Sequence, residues 1–171
     1  MLTRLTLVSV IALAAAALAT AAASARALDL YDFSATGIET GVPSNNVSPF
    51  SGTAVGTGGV AVWSAHVQHI CNGGSDATIT GGDFVLTGTH GVRLGGSFGS
   101  GSVAGFCVPQ TQCANQSYSI DNASLSLTDA LGNNLVGTFN GTLTHYSTKI
   151  FGTCVTYFAT ISGQLAVHYT S

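Results

Sequence analysis

From Leu28 onward apolar and polar residues alternate, and no stretch carries the three-and-four spacing of an amphipathic helix. Gly, Thr and Ser recur every few positions, which suits short strands joined by tight turns. The alternation predicts a first strand over Leu28–Ala35 and a long one over Val60–Cys71, VAVWSAHVQHIC, ending at the turn Asn72–Asp76. Shorter strands are expected at Ala77–Thr80, Phe84–His90, Val92–Phe98 and Ser102–Phe106. Ser117–Thr128 alternates cleanly, and the turn Asp129–Asn134 leads into Leu135–Tyr146. Two last strands, Phe151–Ile161 and Gln164–Tyr169, are expected to meet at a tight Ser162–Gly163 turn. Glu39–Gly52, with two prolines and two adjacent asparagines, reads as a loop. Nine or ten strands without an internal linker predict one all-β domain, a closed antiparallel β-barrel or a β-sandwich.

Residues 1–27 do not fit that pattern. Arg4 precedes an apolar run from Leu5 to Ala23, and Ala-Ser-Ala and Ala-Arg-Ala follow, ending at Ala25 and Ala27. This predicts a signal peptide over 1–27 and one secreted domain over 28–171, extracellular or periplasmic according to the host's envelope. No stable membrane insertion is expected once the leader is cleaved. The 144 residues that remain carry two cations, Arg93 and Lys149, against seven acids, a net charge of −5. No basic patch exists to neutralise phosphates, so nucleic acid is not an expected partner.

Four cysteines follow the leader, and an even count in an exported chain predicts two disulfides. Spacing favours Cys107–Cys113 across the short loop CVPQTQC, which leaves Cys71–Cys154. A zinc site is the rival, but no two cysteines are spaced as C-x2-C, and no metal is expected.

The run GGSFG, Gly95–Gly99, matches the G-x-S-x-G of a hydrolase nucleophile elbow. An elbow serine needs a helix after it, whereas Ser97 is followed by GSGSVAGFC, so the glycines are expected to mark a bend between strands. A second signal is a weak repeat. GDFVLTGTH, Gly82–His90, and GTFNGTLTH, Gly137–His145, share G-x-F-x-x-T-x-T-H. On strands, Phe84, Leu86 and His90 share one face, as do Phe139, Leu143 and His145, and His69 follows Trp63, Ala65 and Val67 on a third.

Three inward histidines could line a ligand pocket or hold a metal, and Arg93 and Lys149, following the repeat, could bind an anion at a barrel mouth. The plainer reading is structural, each imidazole ending an apolar strand with its polar edge toward water or a carbonyl. The pairs Thr78/Thr80, Thr87/Thr89 and Thr142/Thr144 fit a solvent face better than a flat binding array. The expected function is a non-catalytic module binding a surface, a glycan or a small apolar ligand, without a cofactor. The alternative is a barrel enzyme or ligand carrier built on His69, His90 and His145.

Overall fold

The structure, a computed structural model, describes residues 30–109 and 112–170. The leader over 1–27 and the start of the expected first strand, Leu28 and Asp29, lie outside the described residues. Nine strands run in chain order: β1 Tyr31–Glu39, β2 Val47–Gly56, β3 Gly59–Cys71, β4 Ala77–Gly88, β5 Arg93–Phe98, β6 Gly101–Val103, β7 Gln116–Asp129, β8 Asn134–Ile150 and β9 Thr153–Tyr169. All pairings are antiparallel, in the order β3-β2-β1-β9-β8-β7-β5-β4, and β3 pairs again with β4. The sheet therefore closes on itself as an eight-stranded barrel, with β6 as an extra strand. Strands β5 and β6 occupy the same lane between β4 and β7, interrupted at Gly99 and Ser100. There Gly99 N–H donates to the Ser124 carbonyl and Ser124 N–H to that of Ser100.

Alternation places the apolar set inside. Along β3, Ala61, Trp63 and Ala65 are buried while Val62, Ser64 and His66 are exposed. Along β7, Tyr118, Ile120, Ala123, Leu125 and Leu127 are buried, the alternation stepping over a bulge between Ile120 and Ala123. Ser, Thr and Asn hold most outward positions of β7 and β8, so these strands lack the outward apolar band of a lipid-embedded barrel.

Two aromatic rings fit because glycines face them. Gly37 on β1 pairs with Gly52 on β2, which pairs with Trp63 on β3. A Cβ on Gly37 would lie 2.4 Å from the Trp63 ring and 2.6 Å from the Ser51 carbonyl oxygen. The indole N–H is shared between the carbonyls of Thr36 and Thr53, at 3.2 and 3.1 Å. On the opposite wall Gly141 pairs with Gly163, and Cβ atoms there would meet the Phe139 ring at 2.9 and 2.6 Å.

Three expectations are corrected. The proline-bearing segment after Asn46 is strand β2, whose Phe50 and Ala54 face inward between Ser51, Thr53 and Val55. Ser162–Gly163 is no turn: β9 runs unbroken from Thr153 to Tyr169, and Gly163 serves the packing of Phe139. The disulfides are Cys71–Cys107 and Cys113–Cys154, with Cα–Cα distances of 5.7 and 5.4 Å, instead of a bridge within the short loop. Residues 104–109 and 112–115 form a cap across one barrel end, and its two cysteines reach different strands, Cys107 to β3 and Cys113 to β9. Each bridge closes a loop worth about 4 kcal/mol in the chain-entropy model.

Substituting Gly37→Val should lower stability by about 2–3 kcal/mol in urea unfolding followed by Trp63 emission, because the indole has no room to retreat. A loss below about 0.5 kcal/mol would contradict the packing described. A digest of the unreduced protein should yield peptides joining Cys71 to Cys107 and Cys113 to Cys154, and no peptide pair joining Cys71 to Cys154.

Candidate functional site

The barrel is filled at one end and hollow at the other. Away from the disulfides the fully buried side chains include Phe33, Leu94, Leu135 and Val167, which close the interior. Toward the disulfides the smaller Ala35, Ser48, Ala65 and Val67 share the interior with Phe50, Ile79, Ile120, Leu143 and Ile161, and a cavity of about 70 Å³ remains among them. Trp63, Phe84, Phe98 and Phe139 are among its aromatic walls. Its polar lining, besides the indole, is Ser48 and His69.

Phe106, carried by the cap, roofs this chamber. The cap is held there by more than the bridges. Asp76 accepts the Gly105 N–H at 2.8 Å, the Ser75 carbonyl accepts that of Cys107 at 2.8 Å, and Ala104 N–H donates to the Ser119 carbonyl. On the other side Ser147 N–H donates to Asn115 Oδ1 at 3.2 Å. Those bonds hold the Asp76 carboxyl below its ordinary range, the Gly105 amide first and the Ser75 hydroxyl next.

Around Phe106 the rings meet edge to face. Its centroid lies 5.0 Å from His69, 5.3 Å from Tyr118 and 5.5 Å from His145, and Tyr118 lies 5.3 Å from His145. The Tyr118 hydroxyl donates to Gln116 Oε1. Both imidazoles sit below the ordinary histidine range. For His69 the cause is burial, opposed by a bond to the Val67 backbone; for His145 it is burial and then the charge His69 would carry. Across the mouth, burial raises the Glu39 carboxyl, and a hydrogen bond from Ser48 opposes it.

Of the sequence-predicted site residues, the fold brings His69 and His145 to one roof and separates the rest. His90 ends the repeat in an exposed 3-10 turn, Thr89–Gly91, with φ of +60°. The pairing of His69 with Ile79 puts that turn roughly 30 Å away along β4. The cause is that β4 stops at Gly88, so the inward parity of Phe84 and Leu86 is not carried to His90. Arg93 opens β5 at the same far end, while Lys149 is exposed on the β8–β9 hairpin beyond the mouth, so the two share no anion site. Among the described residues no group of three or more His, Cys, Asp or Glu could hold a metal ion.

His66 lies outside, 3.0 Å from Asp83. Ser97 faces outward on β5 opposite Asp83 and Ser126, on a strand and not an elbow. Sequence reasoning missed Phe106, Tyr118, Glu39 and Ser48. The adjacency of Phe106 to Cys107 is the one signal that could have drawn attention to the roof.

The fold and this site define a small closed β-barrel with an apolar chamber at one end and a disulfide-anchored aromatic roof. Compared with protein-family models, curated proteins and solved structures, the chain matches none.

Histidines held low by burial bind protons more weakly folded than unfolded. Their stabilisation is therefore complete above the unfolded value of 6.5 and is lost as pH falls through the lowered folded values. Urea midpoints should fall between about pH 7 and pH 5 and hold level above pH 7. Replacing both residues, His69→Phe with His145→Phe, should remove most of that fall. An unchanged slope in the double variant would assign it elsewhere.

Proposed function

We propose that this protein is a non-catalytic carrier that holds a small apolar molecule inside its barrel, outside the cytoplasm. The observation that supports the reading is the hollow half of the interior. A well-packed core has few voids larger than a water molecule. Here Ala35, Ala65 and Ser48 leave space that the larger residues of the wall, Phe50, Ile79 and Leu143 among them, do not fill. An apolar cavity gains little by holding water, which finds few partners there, and takes up apolar molecules instead.

Among the surface, glycan and small apolar ligand that the sequence suggested, the chamber favours the last. Exposed threonines, Thr78 and Thr80 on β4 and Thr142 on β8, sit on strands that are not neighbours in a curved wall. The export reading rests on the leader, and two disulfides suit an oxidising compartment.

Trp63, the sole tryptophan, lines the chamber and reports its contents. Titrating the secreted protein with hexanol should shift Trp63 emission saturably, and native mass spectrometry should find bound molecules at one per chain. Val67→Trp, which fills the mouth side of the chamber, should abolish the hexanol response while the protein still unfolds cooperatively. Failure of any six-carbon probe to bind the intact protein would end the carrier reading.

A further inference from the structure

The β8–β9 hairpin carries an apolar surface that the barrel does not use. Strand β8 pairs with β7 only as far as His145, and β9 pairs with β1 only from Thr160 onward. Beyond those points the two strands pair, among the described residues, only with each other, as a ribbon projecting roughly 17 Å past its neighbours. Its inward face is tied to the cap by Cys113–Cys154 and by the Ser147 N–H on Asn115, so it holds this posture without a partner. At the rim its outward face changes character. Thr144 and Thr160 give way to Tyr146 and Phe158, whose rings lie 5.6 Å apart, and then to Val155 and Ile150.

The turn itself is strained. Phe151 and Gly152 both have positive φ, +49° and +83°, in a turn that favours Asn-Gly because a bulky side chain fits badly there. A phenylalanine at that position costs stability, and being fully exposed it gains none through packing.

What covers such a tip follows from its size, its order and its charge. The exposed parts of Ile150, Phe151, Val155, Tyr157 and Phe158 amount to roughly 500 Å², at about 150–250 Å² for a whole aromatic side chain. That falls short of the roughly 800 Å² per partner of a stable protein interface, and a convex finger has no flat face to extend it. A lipid surface asks for no matched area. Along the ribbon Ile150 and Phe151 stand outermost, with Tyr146 and Tyr157 several residues behind them. That is the order of depth in a bilayer, hydrocarbon innermost and tyrosine at the head groups. Residues 146–158 contain Lys149 and no acid, so a lipid phosphate meets a cation there and no repulsion from the ribbon. Of the acids on this barrel end, Asp76 is bonded to the Gly105 amide of the cap and Glu39 is half-buried.

We infer that the β8–β9 hairpin docks the protein reversibly on a phospholipid bilayer, with Ile150 and Phe151 among the acyl chains, Lys149 beside lipid phosphates and the tyrosines at head-group level. The unpaired outer edges of the ribbon limit entry to its tip. Exposed Val42 of the β1–β2 loop and Val108 of the cap lie on the same barrel end. The inference goes beyond the carrier reading and does not need the chamber to be occupied.

The intact secreted protein is mixed with vesicles of equimolar phosphatidylcholine and phosphatidylglycerol, and the fraction that floats with them is measured. The parent protein should float. Phe151→Asn suits the turn, should unfold at no lower urea concentration, and should bind the vesicles about tenfold more weakly. Lys149→Glu should bind several-fold more weakly at low salt. Leu131→Asn, which removes an exposed leucine from the opposite barrel end, should bind like the parent. Absence of flotation by the parent would overturn the assignment, as would either hairpin variant floating like the parent or Leu131→Asn losing binding equally. If sedimentation shows a dimer that Phe151→Asn dissolves, and the parent leaves the vesicles bare, the tip belongs to a second copy and the lipid assignment is overturned. Hexanol titration keeps the two readings apart. A saturable Trp63 response in Phe151→Asn leaves the carrier reading standing whatever the vesicles show, and a lack of response in parent and variant alike counts against that reading alone.

Discussion

Closure of the sheet through the β3–β4 pairing is the constraint on which everything else rests. It leaves no edge strand among the eight lanes, and it fixes the circumference. An eight-stranded barrel is just wide enough for inward side chains to fill, or to fall short of filling by the volume of a small ligand. Which of the two happens at a given level is decided by the residues there. Phe33, Leu94, Leu135 and Val167 close the far end, and toward the disulfides Ala35, Ser48 and Ala65 leave space among larger neighbours. Chamber and core are two outcomes of one rule applied along the same strands.

The roof turns an open-ended tube into a site. A loop free to move would leave the hollow half full of water and its wall partly solvated. Anchoring by Cys71–Cys107, Cys113–Cys154 and the Asp76–Gly105 bond puts Phe106 over the opening, between two imidazoles. Burial under that roof weakens proton binding at both imidazoles. The polar side chains on the wall are Ser48, Trp63 and His69, and the rest of it is hydrocarbon.

Much of this was legible in the sequence, and its failures have physical causes. Period-two alternation located β7 because its inward residues are large and its outward ones hydroxylic, and β3 because its run from Val60 to Cys71 is long and unbroken by glycine or proline. The same rule missed β2, whose inward face is Ser48, Phe50, Gly52 and Ala54 and whose Pro49 reads as a breaker. Gly163 looked like a turn because a glycine's purpose in a strand is to admit a ring from elsewhere, here Phe139, and that is a tertiary fact. Of the three histidines grouped by face, His69 and His145 do meet, since both strands keep their parity to the end. His90 fell away because one strand stopped two residues early. Disulfide pairing was hidden for a related reason: proximity in sequence favours the short loop, whereas β3 and β9, the strands to which its cysteines are tied, stand apart in the wall with β2 and β1 between them, an arrangement set by the closed barrel.

The cap has a further property that follows from how it is tied. Cys107 and Cys113 are bonded to different strands, so a protease that cuts the backbone between them releases no fragment. The upstream stump, bearing Phe106, stays fastened to β3, and the downstream stump to β9. Nicking of this segment would leave the roof in place, and damage that would disable a simple hinged lid is here confined to a silent scar.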